Sequence, residues 1–323
     1  MKRTVLNLDN KALEVSKLTK KYFYKFLNKK ISALDEVTFS IEKGSMIAFL
    51  GPNGAGKSTL INILAGITNK SSGKAFINGF DLDKSINEAK LSIGVVPQEL
   101  VMDPYFTPRE TLNFQSGYYG IKKKNYLTED LLKKLSLSDK SNSYVRFLSG
   151  GMKRRLMIAK AMVHSPPILI LDEPTAGVDV ELRQDMWKVV ETLRKTGVTI
   201  ILTTHYIEEA EAIADRVGVI NQGEIIVVEE TKELLKKMGH KKLTVDLQEE
   251  ITEIPSSLDK YNLEIGKDKK SINYTYNVRA KSTGITNLLQ DLKDANLKLQ
   301  DLKTEQTTLE KIFVSLVKEN NEI

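Results

Sequence analysis

The sequence predicts an α/β protein in which a mixed sheet flanked by helices is followed by a small α+β domain. An apolar segment at 45–50 runs into a glycine-rich loop and then into a helical pattern at 57–65. Strand-like and helix-like segments alternate again over 168–220, as they do where helices connect parallel strands. From residue 241 onward, apolar and polar residues alternate as in half-buried strands.

Length and composition fit a soluble protein of two domains. Of the 323 residues, 41% are hydrophobic and 28% are charged, which is ordinary for globular proteins. Cysteine is absent, which excludes disulfides, zinc ribbons and thiol nucleophiles. No apolar run approaches the roughly 18–20 residues of a membrane-spanning helix, and the polar stretch 6–14 lacks the apolar core of a signal peptide. We therefore expect a cytoplasmic protein.

The net charge of +6 is unevenly distributed along the chain. Asp9 and Glu14 are the only acids of the first thirty residues, which are rich in lysine: Lys17, Lys20, Lys21, Lys25, Lys29 and Lys30. Such a cluster is compatible with binding to nucleic acid or to an anionic membrane. The simpler interpretation is a solvated loop surface, and no nucleic-acid partner is expected.

The elements of the first predicted domain, residues 1–235, follow from local patterns. Turn residues at 42–44 precede the apolar strand, and Gly66 ends the helix that follows the glycine loop. Residues from about 100 to 163 are mainly helical and predict an inserted helical subdomain. The predicted strands are 13–18, 37–41, 45–50, 168–171, 198–202, 217–220 and 225–228, and the predicted helices are 57–65, 181–195 and 207–214.

Residues 241–323 are predicted to form a separate, small accessory domain. Alternating patterns predict strands at 243–247 and 272–278. Helical patterns follow at 283–295 and at 308–318, where a Thr307-x-x-Glu310 capping box opens the second helix.

The loop after the apolar strand matches the phosphate-binding loop in full: Gly51, Pro52, Asn53, Gly54, Ala55, Gly56, Lys57, Ser58 and Thr59. Its glycines let backbone N–H groups converge on phosphate oxygens at a helix N-terminus, where the helix dipole favours anions. Lys57 is expected to reach the β- and γ-phosphates, and the Ser58 hydroxyl is expected to bind Mg²⁺. The first domain is thus predicted to have the fold of P-loop nucleoside triphosphatases.

Two adjacent acids, Asp172 and Glu173, follow the apolar run 168–171. Four apolar residues predict a strand buried on both faces, and ligands bind α/β sheets at the carboxyl ends of strands. Alone, such a strand end is more often structural. Together with the phosphate loop, it predicts that Asp172 holds Mg²⁺ through water and that Glu173 polarises the attacking water.

A second candidate anion site, Ser149-Gly150-Gly151-Met152, opens the predicted helix that follows it. By itself this motif is more often a plain helix cap. One nucleotide does not need two such cradles in one subunit, so we expect the second cradle to close on a nucleotide held by a partner copy.

In this order the three motifs resemble the nucleotide-binding domain of ATP-binding-cassette (ABC) transporters, over about residues 13–230. The resemblance implies ATP and Mg²⁺ as cofactors. It also implies that Gln98 is the Q-loop residue that reaches Mg²⁺ and the attacking water. Asp179 would then lie in the D-loop that crosses the dimer interface, and His205 would be the switch histidine that contacts the γ-phosphate.

Two further positions need separate treatment. Tyr22 is the candidate aromatic residue for stacking on adenine, although Phe23 and Tyr24 are adjacent and the segment 24–30 is longer than is usual in the family. Met152 occupies the signature position where the commonest family sequence has Gln, and it cannot make the hydrogen bonds of that glutamine. This variant is similar to efflux-type cassettes that pair with ABC-2-type membrane subunits, as are the segments 150–156, 173–179, 204–211 and 309–316.

The resemblance further implies partners and a location. Because every motif is present in one chain, a homodimer with two competent ATP sites is expected, and a heterodimer with another cassette is the alternative. An integral membrane permease encoded separately would hold the protein at the inner face of the cell membrane. Export is implied by the branch alone.

Two other functions compete with transport. A soluble cassette ATPase acting on ribosomes or DNA usually carries two cassettes or a long coiled-coil insertion, and this sequence has neither. A GTPase or small-molecule kinase would use the same loop, but Asn69-Lys70-Ser71-Ser72 lacks the Asp that reads guanine.

Overall fold

The computed structural model describes residues 10–24, 29–237, 240–266, 268–277 and 284–306. The chain divides into two compact units, Met1–Glu229 and Glu230–Ile323. The predicted functional domain boundary between residues 235 and 241 stays a prediction. The predicted helix 308–318 and its capping box lie outside the described residues.

The first unit alternates strands with helices after an initial hairpin. In chain order its elements are β1 (Lys11–Tyr24), β2 (Lys29–Glu42), β3 (Met46–Leu50), α1 (Lys57–Leu64), β4 (Ser72–Ile77), β5 (Phe80–Asp81), α2 (Ile86–Leu91), β6 (Ile93–Val96), α3 (Pro108–Tyr118), α4 (Thr128–Lys134), α5 (Gly150–Ala161), β7 (Ile168–Asp172), α6 (Val180–Lys195), β8 (Thr199–Thr204), α7 (Ile207–Ile213), β9 (Arg216–Asn221) and β10 (Glu224–Glu230).

The central sheet has six strands in the order β10-β9-β3-β8-β7-β6. The four pairings from β9 to β6 are parallel, so the carboxyl ends of these strands meet at one edge. Register places Leu50 opposite Thr204 and Asp172 opposite Thr203. The α/β fold class predicted from the sequence is confirmed, and the sheet edge brings the phosphate loop next to the acids.

A second sheet is antiparallel where its pairings are described and has the order β2-β1-β4-β5. The predicted short strands 13–18 and 37–41 were wrong in length, because β1 and β2 each span 14 residues. Register shifts interrupt their pairing, and Lys17 and Glu36 adopt left-handed backbone angles of φ 48° and 43°. Such irregularities break the alternation that a sequence pattern detects. Lys20 and Lys21 therefore lie on a strand, not in a loop.

One hydrophobic core joins both sheets to α1. The rings of Phe39 and Phe49 meet edge to face at 5.0 Å between centroids, so β2 packs directly against β3. Ile61, Ile63 and Leu64 of α1 are buried in the same core. This packing fixes the helix whose first turn receives the phosphate loop.

The helices α3, α4 and α5 lie between β6 and β7 in the chain and form the insertion expected from the sequence. Thr107 and Glu110 make a reciprocal capping box at the start of α3, which satisfies two backbone donors of its first turn. Within the described residues, no helix has the length and apolar character needed to cross a membrane.

The second unit is a four-stranded sheet with one described α-helix packed in its core. Following α8 (Thr231–Lys237), its elements are β11 (His240–Leu247), β12 (Glu264–Ile265), β13 (Ser271–Asn277), α9 (Ile285–Asp294) and β14 (Leu299–Gln306). The strand order is β12-β13-β11-β14. Leu288 and Leu292 of α9 are fully buried beside Val245 and Ile272 of the sheet.

Candidate nucleotide site

The phosphate loop leaves the fully buried strand β3 and continues into the first turn of α1. Two of its glycines are required by space. A Cβ on Gly51 would lie 2.4 Å from the carbonyl oxygen of Ile220, and a Cβ on Gly56 would lie 2.5 Å from that of Ala33. Gly56 also has φ 108°, an angle that other residues rarely adopt. The loop is therefore held tightly between neighbouring backbone segments, with its amides at the helix N-terminus.

Lys57 is almost completely buried, with 5% of its surface exposed. Its Nζ donates to the carbonyl oxygens of Gly51 at 2.7 Å and Pro52 at 3.1 Å, and it lies 3.8 Å from Oε1 of Glu173. Burial lowers the pKa of Lys57 from its ordinary value, while the charges of Glu173 and Asp172 oppose that shift. The ammonium group thus lies between the phosphate loop and the two acids.

Thr203 at the end of β8 organises both acids. Its hydroxyl donates to Oδ1 of Asp172 at 2.5 Å. The backbone N–H of Glu173 contacts the Thr203 hydroxyl and carbonyl oxygens, both at 3.1 Å, and Glu173 has φ 44°. Sequence reasoning missed Thr203, because only the strand register shows that it lies opposite Asp172.

The Glu173 carboxylate is the meeting point of the predicted residues. Its Oε2 accepts from Nε2 of Gln98 at 3.3 Å and lies 3.2 Å from Nδ1 of His205. Together with Lys57, these contacts bring residues from the ends of β6, β7 and β8 and from the start of α1 to one carboxylate. An arrangement of this kind can orient a water molecule beside a phosphate group.

The donor set fits a magnesium ion. Ser58 offers a hydroxyl, Asp172 a carboxylate and Gln98 an amide oxygen, which are the hard oxygen ligands that Mg²⁺ prefers. Among the described residues, no group of three or more His, Cys, Asp or Glu side chains is arranged so that it could hold a metal ion by itself. Mg²⁺ bound beside a nucleotide needs only one or two carboxylates, since phosphates and waters complete its shell.

The signature and the D-loop both begin helices. The Ser149 side chain caps α5, because it accepts a hydrogen bond from the backbone N–H of Met152 at 3.3 Å. The Asp179 side chain caps α6 in the same way and accepts a hydrogen bond from the backbone N–H of Leu182 at 2.9 Å. A Cβ on Gly151 would lie 3.0 Å from Leu182, whereas one on Gly150 would meet nothing within 4 Å. In the described part of the chain, no hydrogen bond or ion pair joins this signature to the phosphate loop.

Tyr22 lies half-buried in β1, opposite Ile31 of β2. The ammonium of Lys20 lies 4.7 Å from the centre of its ring. Phe23 is 54% exposed, and the side chain of Tyr24 is outside the described part. The choice of Tyr22 for adenine stacking therefore stays a prediction.

Comparison with known proteins agrees with this geometry. Residues 34–176 match the family model described as ABC transporter. The chain is 34% identical to the linearmycin resistance ATP-binding protein LnrL of Bacillus subtilis, over 87% of this chain and 92% of that protein. It is 28% identical to the daunorubicin resistance ATP-binding protein DrrA3 of Streptomyces coeruleorubidus, over 90% of this chain and 93% of that protein.

One further relative and two solved structures match a smaller share of the chain. A Nod factor export ATP-binding protein I of Burkholderia thailandensis is 41% identical over 59% of this chain and 63% of that protein. An ATP-binding subunit of an ABC transporter superposes with TM-score 0.61 at 28% identity, covering 70% of this chain and 92% of that one. The dimeric cassette MJ0796 bound to ADP and Pi superposes with TM-score 0.59 at 26% identity, covering 68% and 98%.

The match to LnrL spans most of both proteins, and the solved cassettes share the fold that presents the phosphate loop and acids. This chain belongs to the ATP-binding subunits of the ABC transporter family.

Proposed function

We propose that the chain is a Mg²⁺-dependent ATPase subunit that dimerises around ATP and powers export by a membrane permease encoded separately. The observation that carries this proposal is the Glu173 carboxylate, which contacts Gln98 and His205 and lies 3.8 Å from Lys57. A carboxylate placed among these groups, beside a phosphate loop, suits activation of water for attack on a γ-phosphate.

Each residue has a role that follows from its position. The loop amides and Lys57 bind the β- and γ-phosphates, and Ser58, Asp172 and Gln98 hold Mg²⁺. The metal ion, when bound, supplies charge neutralisation at the phosphates. Glu173 accepts hydrogen bonds from the attacking water and orients it, and His205 donates to the γ-phosphate. Catalysis of this type is mostly positioning and charge stabilisation.

A second copy would complete the site. The signature Ser149-Gly150-Gly151-Met152 presents a helix N-terminus, and Gly150 has open space around its Cα. A helix N-terminus with small residues can approach a phosphate closely. The MJ0796 cassette, which superposes on this chain, is dimeric with ADP and Pi bound. We place the signature of one copy against the nucleotide of the other, with Asp179 in the interface between them.

The export role rests on the relatives, and one surface groove offers a contact for the permease. LnrL and DrrA3 are named for resistance to linearmycin and daunorubicin. A groove of about 440 Å³ lies next to the Gln98 segment and is lined in part by Pro97, Val101, Tyr119 and Met157. We assign this groove to the permease, which would hold the subunit at the inner face of the cell membrane.

Replacing Glu173 with Gln tests the hydrolytic part of this proposal. The amide keeps the side-chain size but lacks the negative charge and the basicity with which a carboxylate polarises the attacking water. We expect ATP turnover to fall at least about a hundredfold, while ATP still binds and a dimer accumulates that light scattering after gel filtration can detect.

The matched control is Glu88→Gln, which makes the same change on the exposed face of α2 and should leave turnover unchanged. A Glu173→Gln chain that stays monomeric at saturating ATP and Mg²⁺ would contradict the shared site. Turnover that is unchanged in that variant would remove Glu173 from the mechanism.

A further inference from the structure

An ion pair between a half-buried guanidinium and a buried carboxylate joins α6 to α7 close to the residues assigned above. Nε of Arg183 lies 3.1 Å from Oε1 of Glu209, and the two side chains are 23% and 5% exposed. These two atoms face each other without the alignment of a hydrogen bond, so their contact is electrostatic. Charged groups are rarely buried unless they are paired, and neither residue has a role in the site described so far.

Glu209 ties together the two loops that carry Glu173 and His205. Its Oε2 accepts from the hydroxyl of Thr175 at 2.7 Å and from that of Thr204 at 3.2 Å. Thr175 is two residues after Glu173, and Thr204 immediately precedes His205. Both threonines are buried. One carboxylate therefore fixes the spacing between the two loops.

Arg183 extends this connection to the D-loop. Its Nη2 donates to the carbonyl oxygen of Val178 at 3.3 Å, one residue before Asp179. Its guanidinium lies 4.4 Å from the centre of the Tyr206 ring, and that ring lies 4.1 Å from the His205 ring. The guanidinium is planar and can make such contacts on its edge and on its face together.

Burial of this pair has an electrostatic cost. Desolvation raises the pKa of Glu209 from its ordinary value, and the hydrogen bonds from Thr175 and Thr204 and the charge of Arg183 oppose that rise. A pair of apolar residues could fill the same space without this cost. The charges are thus better explained by what they connect than by stability.

We propose that Arg183 and Glu209 are positioning residues that couple the D-loop to His205 and Glu173. A partner copy that contacts Asp179 shifts the D-loop, and the Arg183–Glu209 pair passes that shift to the loops holding the catalytic groups. The inference rests on the proposed function of a shared ATP site. It predicts that loss of the pair uncouples the two sites of the dimer without preventing ATP binding.

The main test is Glu209→Gln in the full chain. A Gln oxygen can still accept from both threonines, but its amide N–H groups would face the N–H groups of Arg183. We expect kcat to fall roughly tenfold, since small displacements of catalytic groups lower rates strongly. The Hill coefficient for ATP should fall from about 2 to about 1, while KM stays within about twofold and circular dichroism shows a folded protein.

A second variant tests the same ion pair independently, so that the inference can still be decided if Glu209→Gln fails to fold. Arg183→Lys keeps a positive charge beside Glu209 but lacks the planar fork and the face that stacks on Tyr206. We expect a similar fall in the Hill coefficient with a smaller loss of kcat. Asp185→Asn is the matched control, because Asp185 lies exposed on the same helix and pairs with Lys188 of that helix. It should retain wild-type kinetics.

The double variant Glu209→Gln with Arg183→Lys decides whether the two residues act as a unit. Its loss of kcat should be no larger than that of Glu209→Gln alone, because residues of one network are not additive. Wild-type kcat and Hill coefficient in both single variants, or losses that multiply in the double variant, would overturn the inference while leaving the ATPase proposal intact. Absence of hydrolysis by the wild-type protein would overturn the proposed function, and this inference with it.

Discussion

At the residue scale, the hydroxyl of Thr203 serves two candidate groups at once. It donates to Asp172 and lies within hydrogen-bond distance of the N–H of Glu173. The first contact orients the carboxylate proposed to hold Mg²⁺, and the second supports a left-handed backbone angle at Glu173. Backbone strain of this kind persists where the surroundings hold it in place.

Replacing Thr203 with Val should therefore affect chemistry more than nucleotide binding. The substitution keeps the side-chain shape and removes a buried hydrogen bond. Such a change typically lowers the free energy of unfolding by about 1–3 kcal/mol. We expect kcat to fall about tenfold and half-maximal activity to require more Mg²⁺. Steady-state ATPase assays over a Mg²⁺ titration measure both.

Thr192→Val is the control for Thr203→Val, since Thr192 lies exposed on α6 and bonds only to the backbone of its own helix. An unchanged Mg²⁺ requirement in Thr203→Val would show that Asp172 does not depend on this hydroxyl.

Residues with a strong local motif could be predicted from the sequence, and those that depend on spatial neighbours could not. Glu173 was predicted, as were Lys57, Gln98 and His205. The structure places the last three around the Glu173 carboxylate. Thr203 was missed because its role depends on the register between β7 and β8. The roles assigned to all these residues stay predictions until they are tested.

At the element scale, the start of α5 combines a structural role with the proposed contact to a partner. Ser149 caps the helix, so its removal affects stability as well as any contact across a dimer. Gly150 differs, because a Cβ there would meet no atom of the described residues within 4 Å. The two positions therefore separate folding from assembly.

Gly150→Ala should leave the isolated subunit folded and able to bind ATP, and alanine favours a helix by about 1 kcal/mol over glycine. If the signature closes on the partner's nucleotide, the added methyl group crowds that contact and ATPase activity falls. Thermal melting, binding of a fluorescent ATP analogue and turnover together measure these effects.

Ser149→Ala should also lower turnover while sparing ATP binding. The missing helix cap should lower the free energy of unfolding by about 1 kcal/mol. Thr107→Ala removes a comparable cap from α3 and should lose stability without losing turnover. Equal turnover losses in the two cap variants would assign the effect of Ser149 to folding alone.

Three strands of the first unit, β4, β5 and β6, were missed, and for β4 and β6 the structure shows a physical reason. Within β6, a Cβ on Gly94 would lie 2.5 Å from the carbonyl oxygen of Ala161, so close packing of the end of α5 requires glycine there. In β4, Gly73 has φ 88°. In a sequence, a glycine inside a short segment usually indicates a turn. Here each glycine instead lets a neighbouring backbone segment pack closely against the strand.

At the scale of the whole molecule, the two units have separate hydrophobic cores. The second unit buries Leu243, Val245 and Leu258 with residues of α9. Its strands β12 and β14 were not predicted, because β12 has two residues and β14 is largely exposed and polar. Alternation detects strands with one buried face and fails for such edge strands.

A fragment of residues 230–323 should fold without the rest of the chain. Its own core predicts a cooperative thermal transition by circular dichroism and a folded signature in the amide NMR spectrum. The matching fragment 1–229 should bind ATP. A gradual melt of the 230–323 fragment, with binding of a hydrophobic dye, would show that this unit depends on the first.

The position of β8 between β3 and β7 has a consequence for folding. Side chains of a strand alternate between the two faces of its sheet, so a slip by one residue moves every side chain to the other face. In such a slip, Thr203 would no longer lie opposite Asp172, and Thr204 would leave its place opposite Leu50. Recovery of ATP turnover after refolding would therefore report that β8 has found its correct pairing, which a spectrum of secondary structure could not distinguish.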